Sequence, residues 1–218
     1  MSKVITIPIH NFTTASGSYY NEIELHYQHF GRDYNDAPVI LINHSLTGDA
    51  NVAGSSGWWN EIVGPNLTID TNKYAILGFN IPGNGVKNYL LENYQDFHAG
   101  DIAEIFYQGL KFLGVQQLFA LIGGSIGGGI AWEMAALYPS ITRNLIPVAA
   151  DWKASDWIIA NTFLQRRLLE NSSDPLRDAR IHAMLTYRTP ASFTERFNRT
   201  KNVEKKIYNV ESWLIHHG

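Results

Sequence analysis

Residues 118–139 read Leu-Phe-Ala-Leu-Ile-Gly-Gly-Ser-Ile-Gly-Gly-Gly-Ile-Ala-Trp-Glu-Met-Ala-Ala-Leu-Tyr-Pro. The run Leu118–Ile122 is short and unbroken in its apolar character, as expected of a parallel strand covered on both faces. It passes through Gly123-Gly124-Ser125 directly into apolar residues at Ile130, Met134 and Leu137, a helical spacing that Pro139 ends. Gly123–Gly127 fits G-x-S-x-G at the one place where that pattern has mechanical meaning, a sharp strand-to-helix turn. Small neighbours let strand and helix approach closely, while the serine is forced into an unfavourable backbone region with its hydroxyl exposed. The rival reading is a phosphate-binding glycine turn. Neither G-x-G-x-x-G nor G-x-x-x-x-G-K-[ST] can be written here, because Ser125 takes the place of the middle glycine and no lysine follows. Ser125 is therefore the candidate nucleophile.

Working outward, the same architecture repeats. Val39–Ile42 and Tyr74–Leu77 are further buried-type runs, and Leu145–Ala149 is a fourth after the helix that Pro139 closes. Ile102, Ile105, Phe106, Leu110 and Leu113 mark a helix stopped by Gly114. Upstream, Ile23, Leu25 and Tyr27 alternate with Glu22, Glu24, His26 and Gln28, predicting a strand with one wet face, and Val4–Ile9 predicts an earlier one. Strand and helix alternate in an order that predicts a mostly parallel α/β sheet with right-handed crossovers. After Asp151 the texture changes. Trp157–Leu168, Ile181–Leu185 and Phe193–Phe197 describe three helices, and no further β pattern is visible after Ala149. The expected organisation is an α/β core over 1–151 and a helical lid segment over 152–218.

Composition narrows the function classes. A net charge of −3 with pI near 6.2, and 17 Lys and Arg without a dense run, gives no footprint for nucleic acid or an anionic membrane surface. Cysteine is absent, which excludes thiolate metal and redox sites and fits a reducing cytoplasm. Residues 1–14 alternate polar and apolar rather than reading as a signal peptide, and no apolar run approaches the ~20 residues that span a bilayer. The expectation is a cytoplasmic protein acting on small molecules, without a metal or a permanently bound cofactor. A homodimer is compatible with everything read so far.

A serine ester needs an oxyanion hole, made of the N–H after the nucleophile and one from the loop after an earlier strand. Ile126 supplies the first. The second is expected from Asn43-His44-Ser45-Leu46-Thr47-Gly48-Asp49, a polar glycine-containing loop directly after Val39–Ile42. His44, coming straight off that strand, reads as an orienting or packing residue rather than a catalytic base.

Several segments together carry a family likeness. Asn43–Ala50, Gly57-Trp58-Trp59 with Val63-Gly64-Pro65, Ile69-Asp70-Thr71 and Ile122–Gly128 resemble the homoserine O-acetyltransferase family in order and interval. So do Ala179-Arg180-Ile181, Leu185–Arg188 and Val210–Leu214. The resemblance implies an α/β-hydrolase-type sheet with a helical lid. It also implies transfer of an acetyl group from acetyl-CoA, through an acyl-Ser125 intermediate, to the homoserine hydroxyl in methionine biosynthesis. By the same likeness Leu46 and Ile126 form the oxyanion hole, and Arg180 binds the amino-acid carboxylate with its planar fork. The chain departs from the family where a Gly-Ser-Thr-Gly-Pro run is usual, carrying only Ile81–Val86 there, and in a shorter stretch between Trp157 and Arg180. Both departures leave the choice of donor and acceptor open.

In this fold the acid and then the base follow the serine along the chain. Beyond Ser125 the histidines are His182, inside a predicted helix, and His216 and His217 at the end. The expectation is that the C-terminal strands of the sheet, the acid and the base are missing, and that this chain alone has little activity. An esterase or thioesterase, or a non-catalytic binding module, are the competing readings.

Overall fold

The computed structural model describes residues 2–218. They form two compact units, one running to Trp152 and the other from Lys153 to Gly218.

The first unit is built on a six-stranded sheet. Its strands are β1 (Ile5–Thr13), β2 (Tyr19–Gly31), β3 (Val39–Asn43), β6 (Ala75–Phe79), β7 (Ala120–Gly124) and β8 (Leu145–Val148), in the order β1-β2-β6-β3-β7-β8. The small pair β4 (Val63–Gly64) and β5 (Ile69–Asp70) stands apart. Strands β6, β3, β7 and β8 run parallel, β2 pairs antiparallel with β6, and β1 pairs antiparallel with β2. The fold is therefore α/β with a mostly parallel sheet, as the alternation of elements predicts.

Every residue of β3 and β6 is buried, and alternate residues go to opposite faces. Val39, Leu41, Leu77 and Phe79 join Phe106, Leu110 and Met134 in one core. Ile40, Ile42 and Ile76 join Val52, Val63 and Ile122 in the other. The first core is roofed by α1 (Ala99–Phe112) and α2 (Ile126–Leu137), whose inward faces carry Ile102, Ile105, Phe106 and Leu110, and Ile130, Ala131 and Met134. Each of these side chains other than Ala131 contributes about 1.5–3 kcal/mol on burial. Gly109 lets α1 sit close to β2, since a Cβ there would push on the Leu25 side chain.

The one-wet-face reading of β2 holds only for its first half. His26 and Gln28 are buried, because β2 pairs with β1 on one side and β6 on the other. The far face is also covered: the His26 ring sits edge-on to Tyr89, and Gln28 Nε2 donates to the Ser2 carbonyl at 2.8 Å.

At the far edge, β8 turns Ile146 and Val148 out to solvent. Leu121 N donates to the Asn144 carbonyl and Ser125 N to the Val148 carbonyl, so the even-numbered residues of β8 face β7. Pro147 stands between them, its ring nitrogen on the open side where no ladder bond is lost.

The second unit is α3 (Asp156–Asn171), α4 (Pro175–Thr186), α5 (Pro190–Phe197), the two-residue strands β9 (Lys201–Asn202) and β10 (Ile207–Tyr208), and α6 (Asn209–His217). The hairpin and the fourth helix correct the expectation of three helices with no further β structure. His216 and His217 close a regular helix rather than a frayed end. Trp213 of α6 gathers Phe193, Phe197 and His217 around its ring, with the Arg188 and Arg196 guanidinium groups over it. Among the described residues no helix is long and apolar enough to cross a membrane.

Candidate active site

Ser125 lies between the end of β7 and the first residue of α2, with φ 54° and ψ −121°, a region that L-residues rarely occupy. Its own N–H donates to the Val148 carbonyl at 2.9 Å, and its carbonyl accepts from Gly128 N at 2.9 Å and Gly129 N at 3.1 Å. The turn is thus fixed from both sides. The flanking glycines are there for space: a Cβ on Gly123 would strike the Gly127 carbonyl, and one on Gly127 would strike the carbonyls of Asn43 and His44. The Ser125 side chain is exposed.

That close approach also brings in the loop after β3. Asn43 is buried and its Nδ2 donates to the Gly127 carbonyl at 3.3 Å, so the loop carrying Leu46 is tied to the start of α2. Among the described residues neither the Leu46 nor the Ile126 amide donates to a protein backbone acceptor. The Ile126 amide opens α2 at its positive end, and the first turn of that helix carries no acidic residue to cancel its dipole.

His44 is buried beside this turn, with both ring nitrogens engaged. Nδ1 meets the Ser45 carbonyl at 2.6 Å and Nε2 accepts from the Ile81 N–H at 3.0 Å, which fixes the neutral tautomer protonated on Nδ1. Burial is the main cause that holds its pKa below the ordinary 6.5. It is an orienting residue, as its position after a buried strand suggests, and it joins the Leu46 loop to the end of β6. Of the other imidazoles of this unit, His10 lies against Glu22, His29 Nε2 meets the Arg32 carbonyl and His98 Nδ1 lies against Asp101, while His26 Nε2 stands 3.1 Å from Glu24 without a hydrogen bond. Among the described residues none of the five hydrogen-bonds the Ser125 hydroxyl; His98, paired through Nδ1 with Asp101, borders the cavity beside Ile126.

Sequence reasoning passed over Asn43 and Asn80. Each ends a buried strand run and is itself buried. Asn80 Oδ1 accepts from Ala50 N at 2.9 Å and Asn84 Nδ2 at 3.2 Å, tying down the loops that border the site. The available signal was an asparagine placed directly after an apolar strand.

An apolar cavity of about 250 Å³ opens beside Ile126, walled also by Ile81, Pro82, Leu91, Phe97 and Ile102. A larger one, about 370 Å³, lies at the amino ends of β3 and β7 near Val39 and Phe119. Ligands of open α/β sheets bind at the carboxyl ends of the strands, so the smaller cavity is the relevant one. Among the described residues no group of three or more His, Cys, Asp or Glu could hold a metal ion.

In the second unit, Arg180 lies on α4 and is exposed. Its Nε and Nη2 donate to the His217 carbonyl at 3.2 and 3.1 Å. His182, on the same helix, has a buried Nδ1 without a hydrogen-bond partner among the described residues.

Residues 38–216 match the model of the alpha/beta hydrolase fold family. The homoserine O-acetyltransferase of Symbiobacterium thermophilum is 30% identical over 98% of this chain and 67% of its own length. The chain belongs to the homoserine O-acetyltransferase family of α/β hydrolases. It spans about two thirds of that relative and about half of several others in the family. The crystal structure of homoserine O-acetyltransferase from Staphylococcus aureus superimposes with a TM-score of 0.80 at 26% identity, covering 99% of this chain and 65% of that one. Esterase E22 gives 0.80 at 19% identity over 99% and 72%, a likeness of fold.

Proposed function

We propose that the protein is an acyltransferase of the homoserine O-acetyltransferase type, with Ser125 as acyl carrier, Leu46 and Ile126 as oxyanion donors, and Arg180 as the residue that binds the acceptor's carboxylate. The observation that carries this reading is the strained Ser125 turn, followed at once by the unengaged Ile126 amide, with the unengaged Leu46 amide on the loop that Asn43 ties to the start of α2. Ser125 Oγ attacks the thioester carbonyl of acetyl-CoA, the C–S bond breaks, and the serine proton leaves on the CoA thiol. The homoserine hydroxyl then attacks the acyl ester, O-acetylhomoserine departs, and the acceptor's proton returns to Ser125. The amides stabilise the oxyanion of both tetrahedral intermediates, where one such donor is typically worth about 10²–10³ in rate. Arg180, whose fork already chelates a carbonyl oxygen, exchanges that contact for the carboxylate. Among the described residues no histidine of the first unit stands in hydrogen-bonding contact with the Ser125 hydroxyl, and His44, the one buried beside it, has both ring nitrogens occupied. The 218 residues by themselves therefore transfer acyl groups slowly.

The test is mass spectrometry of the chain after incubation with acetyl-CoA. An added acetyl group on the peptide containing Ser125, absent in Ser125→Ala and discharged by homoserine, is the expected result. Modification that persists in Ser125→Ala would defeat the assignment. Hydrolysis is the second reading, favoured by the exposure of Ser125. Free acetate released equally with and without homoserine would select it.

A further inference from the structure

We propose that the cavity beside Ile126 is an acyl-chain subsite, and that the protein transfers straight-chain butanoyl to hexanoyl groups in preference to acetyl. The inference rests on the reading of Ser125 as acyl carrier and adds the class of acyl group.

In the tetrahedral intermediate on Ser125, the oxyanion points at the Ile126 N–H, and the acyl chain leaves the same carbon. The Ile126 side chain, followed one turn later by Ile130, forms one wall of the cavity, and Ile81, Leu91 and Ile102 form others. The wall at Ile81 is held in register with the oxyanion donors, because the Ile81 N–H donates to His44 Nε2 on the loop that carries Leu46. An apolar space of about 150 Å³ lined by Leu, Ile and Phe suffices for a benzene; this one is about 250 Å³. An acetyl methyl leaves most of it unfilled.

The chemistry of the lining excludes the other reactant. Its polar side chains are Tyr94 and His98, the latter already against Asp101, and no Lys, Arg, Asp or Glu borders the cavity, so the ammonium and carboxylate of an amino acid, or the phosphates of CoA, would find no fixed counter-charge there. Only the hydrocarbon portion of the substrates fits.

The experiment is a donor series of acetyl-, butanoyl-, hexanoyl- and decanoyl-CoA with homoserine. The full chain is used with imidazole added as proton acceptor, and thiol release and acylation of Ser125 are both read. We expect kcat/KM to rise by about fourfold per seated methylene, equivalent to ~0.8 kcal/mol, up to hexanoyl, and to fall at decanoyl. Ala99 lies on the rim at the first residue of α1, so Ala99→Phe should cut the hexanoyl-to-acetyl ratio at least tenfold. Leu91→Ala, which enlarges the space, should move the optimum to longer chains even if the first variant folds poorly. Ser125-dependent turnover that is flat or falls from acetyl upward overturns the chain-length proposal alone. Absence of acyl-Ser125 with every donor overturns the Ser125 reading beneath it.

Discussion

Ser125 keeps its left-handed φ because the groups around it leave no alternative: β7 ends against the Val148 carbonyl, and α2 begins at once. Gly127→Ala should therefore cost about 2–4 kcal/mol, since the added methyl meets backbone carbonyls rather than a flexible side chain; chemical denaturation measures it. His44 yields a pH prediction. Its folded pKa is depressed, mainly by burial, so the unfolded chain binds the proton first as pH falls. This effect is absent well above the ordinary 6.5 and costs stability progressively below it, until the folded imidazole itself titrates. His26 is lowered in the same direction, again chiefly by burial. The Tm should drop between pH 7.5 and 5.5, and His44→Gln should reduce that drop; an unchanged drop would show that His44 is protonated in the fold. Arg180→Ala should raise the KM for homoserine about tenfold or more while leaving acetylation of Ser125 by acetyl-CoA intact. A loss of acylation instead would remove Arg180 from acceptor binding.

At the scale of elements, one carboxylate joins a hairpin to a helix. Asp101, buried near the start of α1, accepts from Ala15 N at 2.7 Å, in the turn between β1 and β2, and from His98 N at 2.8 Å. Asp101→Ala leaves two backbone donors unpaired and should destabilise the first unit by about 1–3 kcal/mol, measurable by urea titration. The strands and helices around Ser125 were legible in the sequence because their signals are local: unbroken apolar runs, helical spacing, and glycines at a turn. What was not legible depends on distant partners. The burial of His26 and Gln28 is decided by β6 and by Tyr89, some fifty residues or more further on. Two-residue strands such as β9 and β10 leave no periodicity to read. The roles of Leu46 and Arg180 came from family likeness, whereas the engagement of both His44 nitrogens needed coordinates.

For the whole molecule, charge divides along the chain. Up to Trp152 there are thirteen acidic and six basic side chains; from Lys153 onward there are seven and eleven. The exposed, irregular stretch Asp151–Ser155 joins the two units and offers trypsin a site after Lys153. Limited digestion should release two pieces, the larger retained by an anion exchanger and the smaller by a cation exchanger at neutral pH. The open side of β8 bears on how the protein keeps in concentrated solution. Exposed Ile146 and Val148 make that border attractive to any extended peptide, yet the ring of Pro147 removes a donor from the row such a peptide would dock on. A single imino acid thus acts as a gatekeeper against fibrillar stacking, and Pro147→Val should leave the first unit folded while light scattering of stored samples climbs.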